Sequence, residues 1–237
     1  MPAGTLYLVP ASLGESKSNT VFPAEVLLIA RSLRYFIVEN AKSARAELKH
    51  IEVDHPIQDI DIRVLPREPL QAEFDALLAP LVEGRSAGLM SEAGAPAVAD
   101  PGALLVRAAH ASGIRVAPLV GPSSLLLALM ASGLNGQCFA FHGYLPLREP
   151  ERGRRIAELE RESRREGRTQ IFIETPYRNA ALFSALLLNC QPGTLLCLAT
   201  ELTTAMEKIE TKQIDVWRSG PVPAIEKKPT VFLLLAR

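Results

Sequence analysis

The sequence predicts an α/β protein of two domains, the first built on a mostly parallel, doubly wound sheet. Three observations predict it. Short apolar runs of strand length alternate with longer runs of helical spacing along the whole chain. Two consecutive strand runs end in loops dense in Gly, Pro and Ser, and each loop leads into a helical pattern. No repeat, low-complexity tract or spacer separates the halves. The domains are expected at residues 1–118 and 119–237, closely packed and sharing a cleft.

The elements follow in order. Leu6 to Val9 is a short apolar strand, and Phe22 to Leu33 has helical spacing through Val26, Leu27, Ile29, Ala30 and Leu33. Tyr35 to Val38 reads as a strand, Ala41 to Lys49 as a short helix, and Ile60 to Leu65 as an alternating strand. Gln71 to Glu83 carries a core-facing stripe of Phe74, Leu77, Leu78 and Leu81. Strand Ala87 to Met90 runs into Ser91-Glu92-Ala93-Gly94-Ala95-Pro96, and a helix begins after Asp100-Pro101-Gly102. Asp followed by Pro suits a helix start, with a capping side chain and then proline at the first helical position. Strand Ile114 to Pro118 runs into Gly121-Pro122-Ser123-Ser124 and a second helix. Leu125 to Ala131 is apolar all round and is expected as a buried helix.

The second half starts afresh. Phe139 to His142 reads as a strand and Glu151 to Glu166 as a charged helix. Strand Gln170 to Glu174, helix Asn179 to Leu188, strand Thr194 to Thr200, short helix Gln213 to Ser219 and strand Thr230 to Ala236 complete the chain.

Composition narrows the function classes. The chain has 237 residues, 48% of them hydrophobic, enough to bury a sizeable core. Its 26 basic and 26 acidic residues cancel, so any nucleic-acid contact rests on a local patch rather than on bulk charge. Cys138, Cys190 and Cys197 lie in apolar stretches without C-x-x-C spacing. They read as buried thiols of a reducing, cytoplasmic compartment, with no disulfide framework and no metal site. The opening Met1-Pro2-Ala3-Gly4 is not a signal-peptide pattern, and no apolar run reaches the length of a membrane span. No G-x-G-x-x-G follows the first strand, which argues against NAD or FAD.

The two Gly/Pro loops sit at the carboxyl ends of adjacent strands, where open α/β sheets bind ligands. They also read as ordinary turns, since Gly, Pro and Ser are the standard turn residues. At these loops the chain resembles the tetrapyrrole methylase superfamily. Within it, the chain is most similar to the branch that methylates the ribose 2′-oxygen of small-subunit ribosomal RNA. The resemblance is carried by Ser91 to Pro96, Asp100-Pro101-Gly102, Pro118-Leu119-Val120-Gly121-Pro122-Ser123, Ser132-Gly133-Leu134 and Phe141 to Pro146. Ile173-Glu174-Thr175-Pro176-Tyr177-Arg178 and Glu201-Leu202-Thr203 extend it over nearly the whole chain. Two loops depart from the branch pattern: Pro10 to Ser16, and Glu39-Asn40-Ala41-Lys42 with Arg45 beyond. Both face the substrate side in that family.

The resemblance implies the tetrapyrrole methylase fold, with a mixed second sheet and a cleft between the domains. It implies S-adenosylmethionine as cofactor, held by Gly94, Ala95, Val98, Ala99, Ser123 and Ser124, with Thr175, Thr200 and Pro229 from the second domain. It also implies a homodimer and, as partner, ribosomal RNA or the small ribosomal subunit. A ribose hydroxyl is a poor nucleophile and gains from a general base. Glu39, Glu92, Asp100, Glu174 and Glu201 are candidates; Asp100 is the weakest, since helix capping explains it, and Glu92, which stands where the family has Asp, is preferred together with Glu39. Glu92 also reads as a residue that merely orders its loop, and His142 as a structural histidine.

From Glu151 to Arg168 the chain carries seven arginines and five glutamates. Arg152, Arg154 and Arg155 read either as an RNA grip or as a solvated helix face with i,i+4 pairing. Arg178 either pairs with Glu174 or reaches a phosphate. Aromatic residues are only 5% of the chain, so binding of single strands by base stacking is not expected to dominate. Two other functions stay open: methylation of a tetrapyrrole or other small molecule, and donor binding without catalysis.

Overall fold

The structure, a computed structural model, describes residues 2–237, without the Asn19 side chain. It divides into two compact units, Met1–Ser123 and Ser124–Arg237.

The first unit holds strands β1 (Thr5–Leu8), β2 (Tyr35–Val38), β3 (Asp61–Val64), β4 (Ala87–Met90) and β5 (Arg115–Pro118). Helices α1 (Ser18–Val21), α2 (Ala24–Ser32), α3 (Ala41–His50), α4 (Gln71–Val82) and α5 (Gly102–Ala111) connect them. The sheet order is β3-β2-β4-β1-β5 and every pairing is parallel. All four residues of β2 and of β4 are buried. That is the signature of a parallel strand covered on both faces, and the reason both read as unbroken apolar runs. Alternate side chains feed two cores. Tyr35 and Ile37 pack with Phe74, Leu78 and Leu105, from α4 and α5. Phe36 and Val38 pack with Val26, Leu27, Ala44 and Leu48, from α2 and α3. The sheet is therefore doubly wound, as the alternating pattern predicts.

Local chemistry sets the helix ends. Asn40 caps α3, its side-chain oxygen accepting from the backbone N–H of Lys42 at 2.8 Å. Glu73 reaches back to the N–H of Leu70 at 2.7 Å at the start of α4. At α5 the capping differs from expectation. Pro101 occupies the N-cap position, and Asp100, one residue earlier, accepts from the N–H of Gly102 at 2.6 Å and of Ala97 at 2.9 Å. The carboxylate thus closes the preceding loop as well as the helix.

The second unit comprises α6 (Ser124–Ser132), β6 (Phe139–Tyr144), α7 (Glu151–Glu166), β7 (Thr169–Ile173), α8 (Asn179–Asn189), β8 (Leu195–Thr200), β9 (Lys208–Gln213), α9 (Ile214–Ser219) and β10 (Thr230–Leu235). Its sheet runs β6-β7-β10-β8-β9 and is mixed. The β6–β7 pairing is parallel, and β10 runs antiparallel to both β7 and β8. Helices α7, α8 and α9 bury Ile156, Leu159, Leu182, Leu186, Ile214 and Trp217 on the sheet residues Phe172, Leu196, Leu198 and Phe232. The fold is the expected one: two α/β units, the first parallel and the second mixed.

Four expectations need correction. Helix α6 is not buried all round. Ala128 and Leu129 face the sheet, whereas Leu126 and Met130 are 53% and 79% exposed. A helix lying on one face of a sheet buries only one stripe, whatever its composition. Strand β9 was not expected. Its sequence KIETKQ alternates Lys and Glu with Ile and Thr, and an edge strand half in solvent carries little apolar signal. Helix α1 is a single turn, too short for periodicity to show. Cys190 and Cys197 are buried, and burial pushes their thiols up to about 12 and about 11, but Cys138 is only half-buried.

Candidate functional site

Parallel pairing puts the carboxyl ends of β1 to β5 at one edge of the first sheet. Because β4 and β5 flank β1, the loops after these three strands meet there. Ala11 and Gly94 exchange two backbone hydrogen bonds, at 2.9 and 3.0 Å. The N–H of Leu119 donates to Leu8 O at 3.1 Å. Gly121 lies against the ring of Pro10, and a Cβ there would overlap it. Gly94 has φ of +72°, and an added Cβ would stand 3.1 Å from Leu13 Cδ2 and 3.5 Å from Pro122 O. The two glycines therefore permit three loops to stack at van der Waals distance.

The loop after β4 is also bent into a sparsely populated backbone conformation. Ala97 and Ala99 have φ of +65° and +64°. Each such residue costs about 1–3 kcal/mol and persists only where its surroundings hold it. Asp100 holds this one, its carboxylate accepting from Ala97 N–H. The loop ends up with Gly94 buried, Ala95 half-buried, and Val98 and Ala99 exposed. Small side chains and accessible backbone are what a close-fitting ligand needs. Ser123 and Ser124, half-buried, follow on the β5 loop.

The five candidate carboxylates separate by what they already hold. Asp100 is committed to two backbone N–H groups. Glu174, with a side chain only 2% exposed, accepts through one oxygen from Arg178 at 2.7 and 3.0 Å and from Thr175 N–H at 2.6 Å. Glu201 pairs with Lys228 at 2.8 Å. Glu39 and Glu92 form no ion pair with a described residue, though Arg67 acts on Glu39 from further off. Glu39 follows β2, and its Oε2 accepts from the backbone N–H of Glu92 at 3.2 Å. Burial, with Glu92 and Asp100 adding repulsion, pushes the Glu39 carboxyl above its ordinary value, which favours proton acceptance nearer neutral pH. The departures from the family pattern fall at this edge. Ser12, in the β1 loop, donates through both N–H (3.0 Å) and hydroxyl (2.8 Å) to Glu47 of α3. No spacing rule links those two residues, and only the packed sheet reveals the contact.

The second unit has its own gathering of strand ends. Because β10 runs antiparallel to its neighbours, its first residue lies at the carboxyl ends of β7 and β8. Thr200 pairs with Thr230, their hydroxyls 3.3 Å apart, and Glu201 N–H donates to Pro229 O at 2.9 Å. The buried Asn179 ties this edge together, donating to Ile225 O and Lys228 O at 3.0 and 2.7 Å. Sequence reading passed over Asn179, because a lone Asn after an arginine resembles any helix start. The structure thus brings Thr175, Thr200 and Pro229 to one sheet edge.

The three candidate arginines of α7 are paired. Arg152 pairs with Glu149 at 2.9 Å, Arg154 with Glu151 at 3.7 Å, and Arg155 with Glu158 at 3.3 Å and Glu162 at 3.8 Å. His142 is held by Gln170 at 2.7 Å and approached by Arg155. Among the described residues there is no cluster able to hold a metal ion and no helix long and apolar enough to cross a membrane.

Comparison with known proteins places this geometry. No family model matches the chain. Among solved structures, the methyltransferase CobJ superposes with TM-score 0.65 at 19% identity, covering 99% of this chain and 95% of that one. The cobalamin biosynthetic enzyme cobalt precorrin-4 methyltransferase, CbiF, gives TM-score 0.61 at 13% identity over 98% of this chain and 94% of the other. At such identities the likeness establishes the fold, that of the tetrapyrrole methylases. Sequence similarity is more specific. The ribosomal RNA small subunit methyltransferase I of Xylella fastidiosa strain Temecula1 is 34% identical over 206 residues, 87% of this chain and 71% of that protein. On that similarity, the chain belongs to the ribosomal RNA small subunit methyltransferase I family.

Proposed function

We propose that the chain transfers a methyl group from S-adenosylmethionine to a ribose 2′-oxygen of small-subunit ribosomal RNA. The similarity to the Xylella fastidiosa methyltransferase carries this reading, and the small-residue loops at the first sheet edge support it. In the reaction, the ribose oxygen attacks the methyl carbon in line with the departing sulfur. The O–C bond forms as the S–C bond breaks, and the hydroxyl proton leaves. The products are the 2′-O-methyl ribose and S-adenosylhomocysteine. Positioning supplies much of the rate in such a displacement.

In the first unit, Gly94, Ala95, Val98, Ala99 and Ser123 are the proposed donor contacts, with Ser124 at the start of the second. Their backbone and hydroxyl groups suit the polar atoms of the methionine and adenosine parts. In the second unit, Thr175, Thr200 and Pro229 are the proposed contacts. Glu39 takes the proton, with Glu92 beside it, because these two carboxylates are not spent on a cation. Arg152, Arg154, Arg155 and Arg178 are proposed acceptor contacts, each of which must share its carboxylate to hold a phosphate. A homodimer and a cytoplasmic location accompany this reading.

The test is methyl transfer from labelled S-adenosylmethionine to purified small ribosomal subunits, with uroporphyrinogen as the competing acceptor. Label in the rRNA ribose is expected. Label in uroporphyrinogen alone, or in neither, overturns the reading. Glu39→Gln is expected to lower kcat by about 10²–10⁴-fold, the usual contribution of general acid–base catalysis. Gly94→Val is expected to abolish donor binding by calorimetry. Undiminished binding in that variant places the donor elsewhere.

A further inference from the structure

We propose that the exposed cationic face of α3, formed by Lys42, Arg45 and Lys49, is the surface that grips the RNA phosphate backbone beside Glu39. The inference rests on the RNA reading above. Residues i, i+3 and i+7 of a helix fall within an arc of about 60°, so the three side chains form one stripe. Ala44 and Leu48 are buried in the first unit's core, which fixes the outward face, and Lys42, Arg45 and Lys49 are all exposed.

The stripe is unneutralised. None of its three cations forms an ion pair with a described residue, and the Arg45 guanidinium reaches only the carbonyl of Ala41, at 3.4 Å. The helix's one acid, Glu47, is turned away to Ser12. Arg152, Arg154 and Arg155 of α7 each hold a carboxylate instead. A paired arginine must surrender or share its partner to take a phosphate. An unpaired cation gives up only water and counterions, and no neighbouring carboxylate offsets its field.

The position suits an acceptor. Helix α3 begins two residues after Glu39, whose carboxylate holds the N–H of Glu92. The Glu47–Ser12 bonds tie the same helix to the β1 loop. Arg67, exposed in the loop after β3, lies close enough to favour the charged form of Glu39, adding a fourth cation to this edge. From Lys42 to Lys49 the stripe spans about 10 Å, the reach of about three phosphates of one strand. A membrane surface fits less well. An interfacial helix sets large apolar side chains beside its cations, and the other exposed residues of α3 are Ala46 and His50.

The test measures affinity for purified small ribosomal subunits, and for transcribed small-subunit rRNA, across a salt series. Parent protein is compared with K42Q/R45Q/K49Q and with R152Q/R154Q/R155Q. The α3 variant is expected to bind about tenfold or more weakly at low salt. Its log–log salt slope should be shallower by about 2, since each lost phosphate contact removes about 0.7–0.9. S-adenosylmethionine binding and circular dichroism should match the parent. If the triple variant misfolds, the single Gln variants replace it, each expected to remove about a third of the slope change. Parent-like affinity and slope in the α3 variants, or a larger loss in the α7 variant, overturns the inference. If the parent methylates small-subunit rRNA in that case, only the α3 assignment falls. If the parent neither binds nor methylates RNA, the functional reading falls with it.

Discussion

The sheet edges of the two units are built by opposite means. In the first unit the edge is made by removing side chains. Gly94 and Gly121 let the loops after β1, β4 and β5 stack, and Ala97 and Ala99 carry the backbone through positive φ. In the second unit the edge is held by side-chain bonds: Glu174 with Arg178, Glu201 with Lys228, and Asn179 with two backbone carbonyls. Topology explains the difference. In an all-parallel sheet every strand delivers its following loop to the same edge, so crowding is the problem and small residues solve it. In the mixed sheet, β10 arrives from the opposite direction between β7 and β8. Fewer loops converge, and polar side chains must hold the edge together. A space-limited edge should fail when atoms are added. A bond-limited edge should fail when partners are removed.

The largest effect is expected from filling the crowded edge. Gly121→Val would drive a branched side chain into Pro10 and Phe22, costing about 3 kcal/mol of stability at the upper end of overpacking effects. Urea denaturation checks it, and an unchanged midpoint would mean that the loops do not depend on close approach. Next comes removal of a partner at the other edge. Arg178→Ala strands the Glu174 carboxylate, which is almost fully buried, and should cost about 2 kcal/mol. Arg178→Ala with Glu174→Gln should recover much of that loss, because the buried charge is gone. A double variant no better than the single one breaks the comparison.

The smallest effect is electrostatic and its sign is fixed. The Glu39 carboxyl is raised in the folded protein, so the folded state holds its proton to higher pH than the unfolded chain. Its contribution to stability is fully present below the ordinary carboxylate value and is lost as pH rises through the raised one. Asp100, raised chiefly by burial, acts in the same direction. Glu39→Gln, which keeps an oxygen for the Glu92 N–H, should therefore be slightly more stable than the parent near neutral pH. The gain should vanish at acid pH. Thermal melts at several pH values check it, and a variant less stable than the parent at neutral pH would show that the charge is favourable there.

How much was legible in advance depended on the range of the signal. The apolar runs of β2 and β4 and the stripe of α4 are local, and burial on a parallel sheet reproduces them residue by residue. The Gly/Pro loops after β4 and β5 were legible because turn chemistry is local too. The edge strand β9 was not, since its alternation of charged and β-branched residues differs little from an exposed loop. Nor was the exposed side of α6, where uniform hydrophobicity hides which stripe meets the sheet.

The sequence by itself determined the alternation of strand and helix, the doubly wound first sheet and the family, because each rests on periodicity or on contiguous motifs. Tertiary structure decided which carboxylates are free. Of five acids near strand ends, local sequence offers a capping role for Asp100 and a partner for Glu174, but not the surroundings of the other three. Folding brings Arg178 to Glu174, Lys228 to Glu201 and two N–H groups to Asp100, and leaves Glu39 against the backbone of Glu92, 53 positions away. It also turned Glu47 of α3 to Ser12, while Glu149, Glu151, Glu158 and Glu162 stay with Arg152, Arg154 and Arg155 in and beside α7. Charge in sequence is a count. The potential that a ligand meets depends on distance and burial, and only packing sets those.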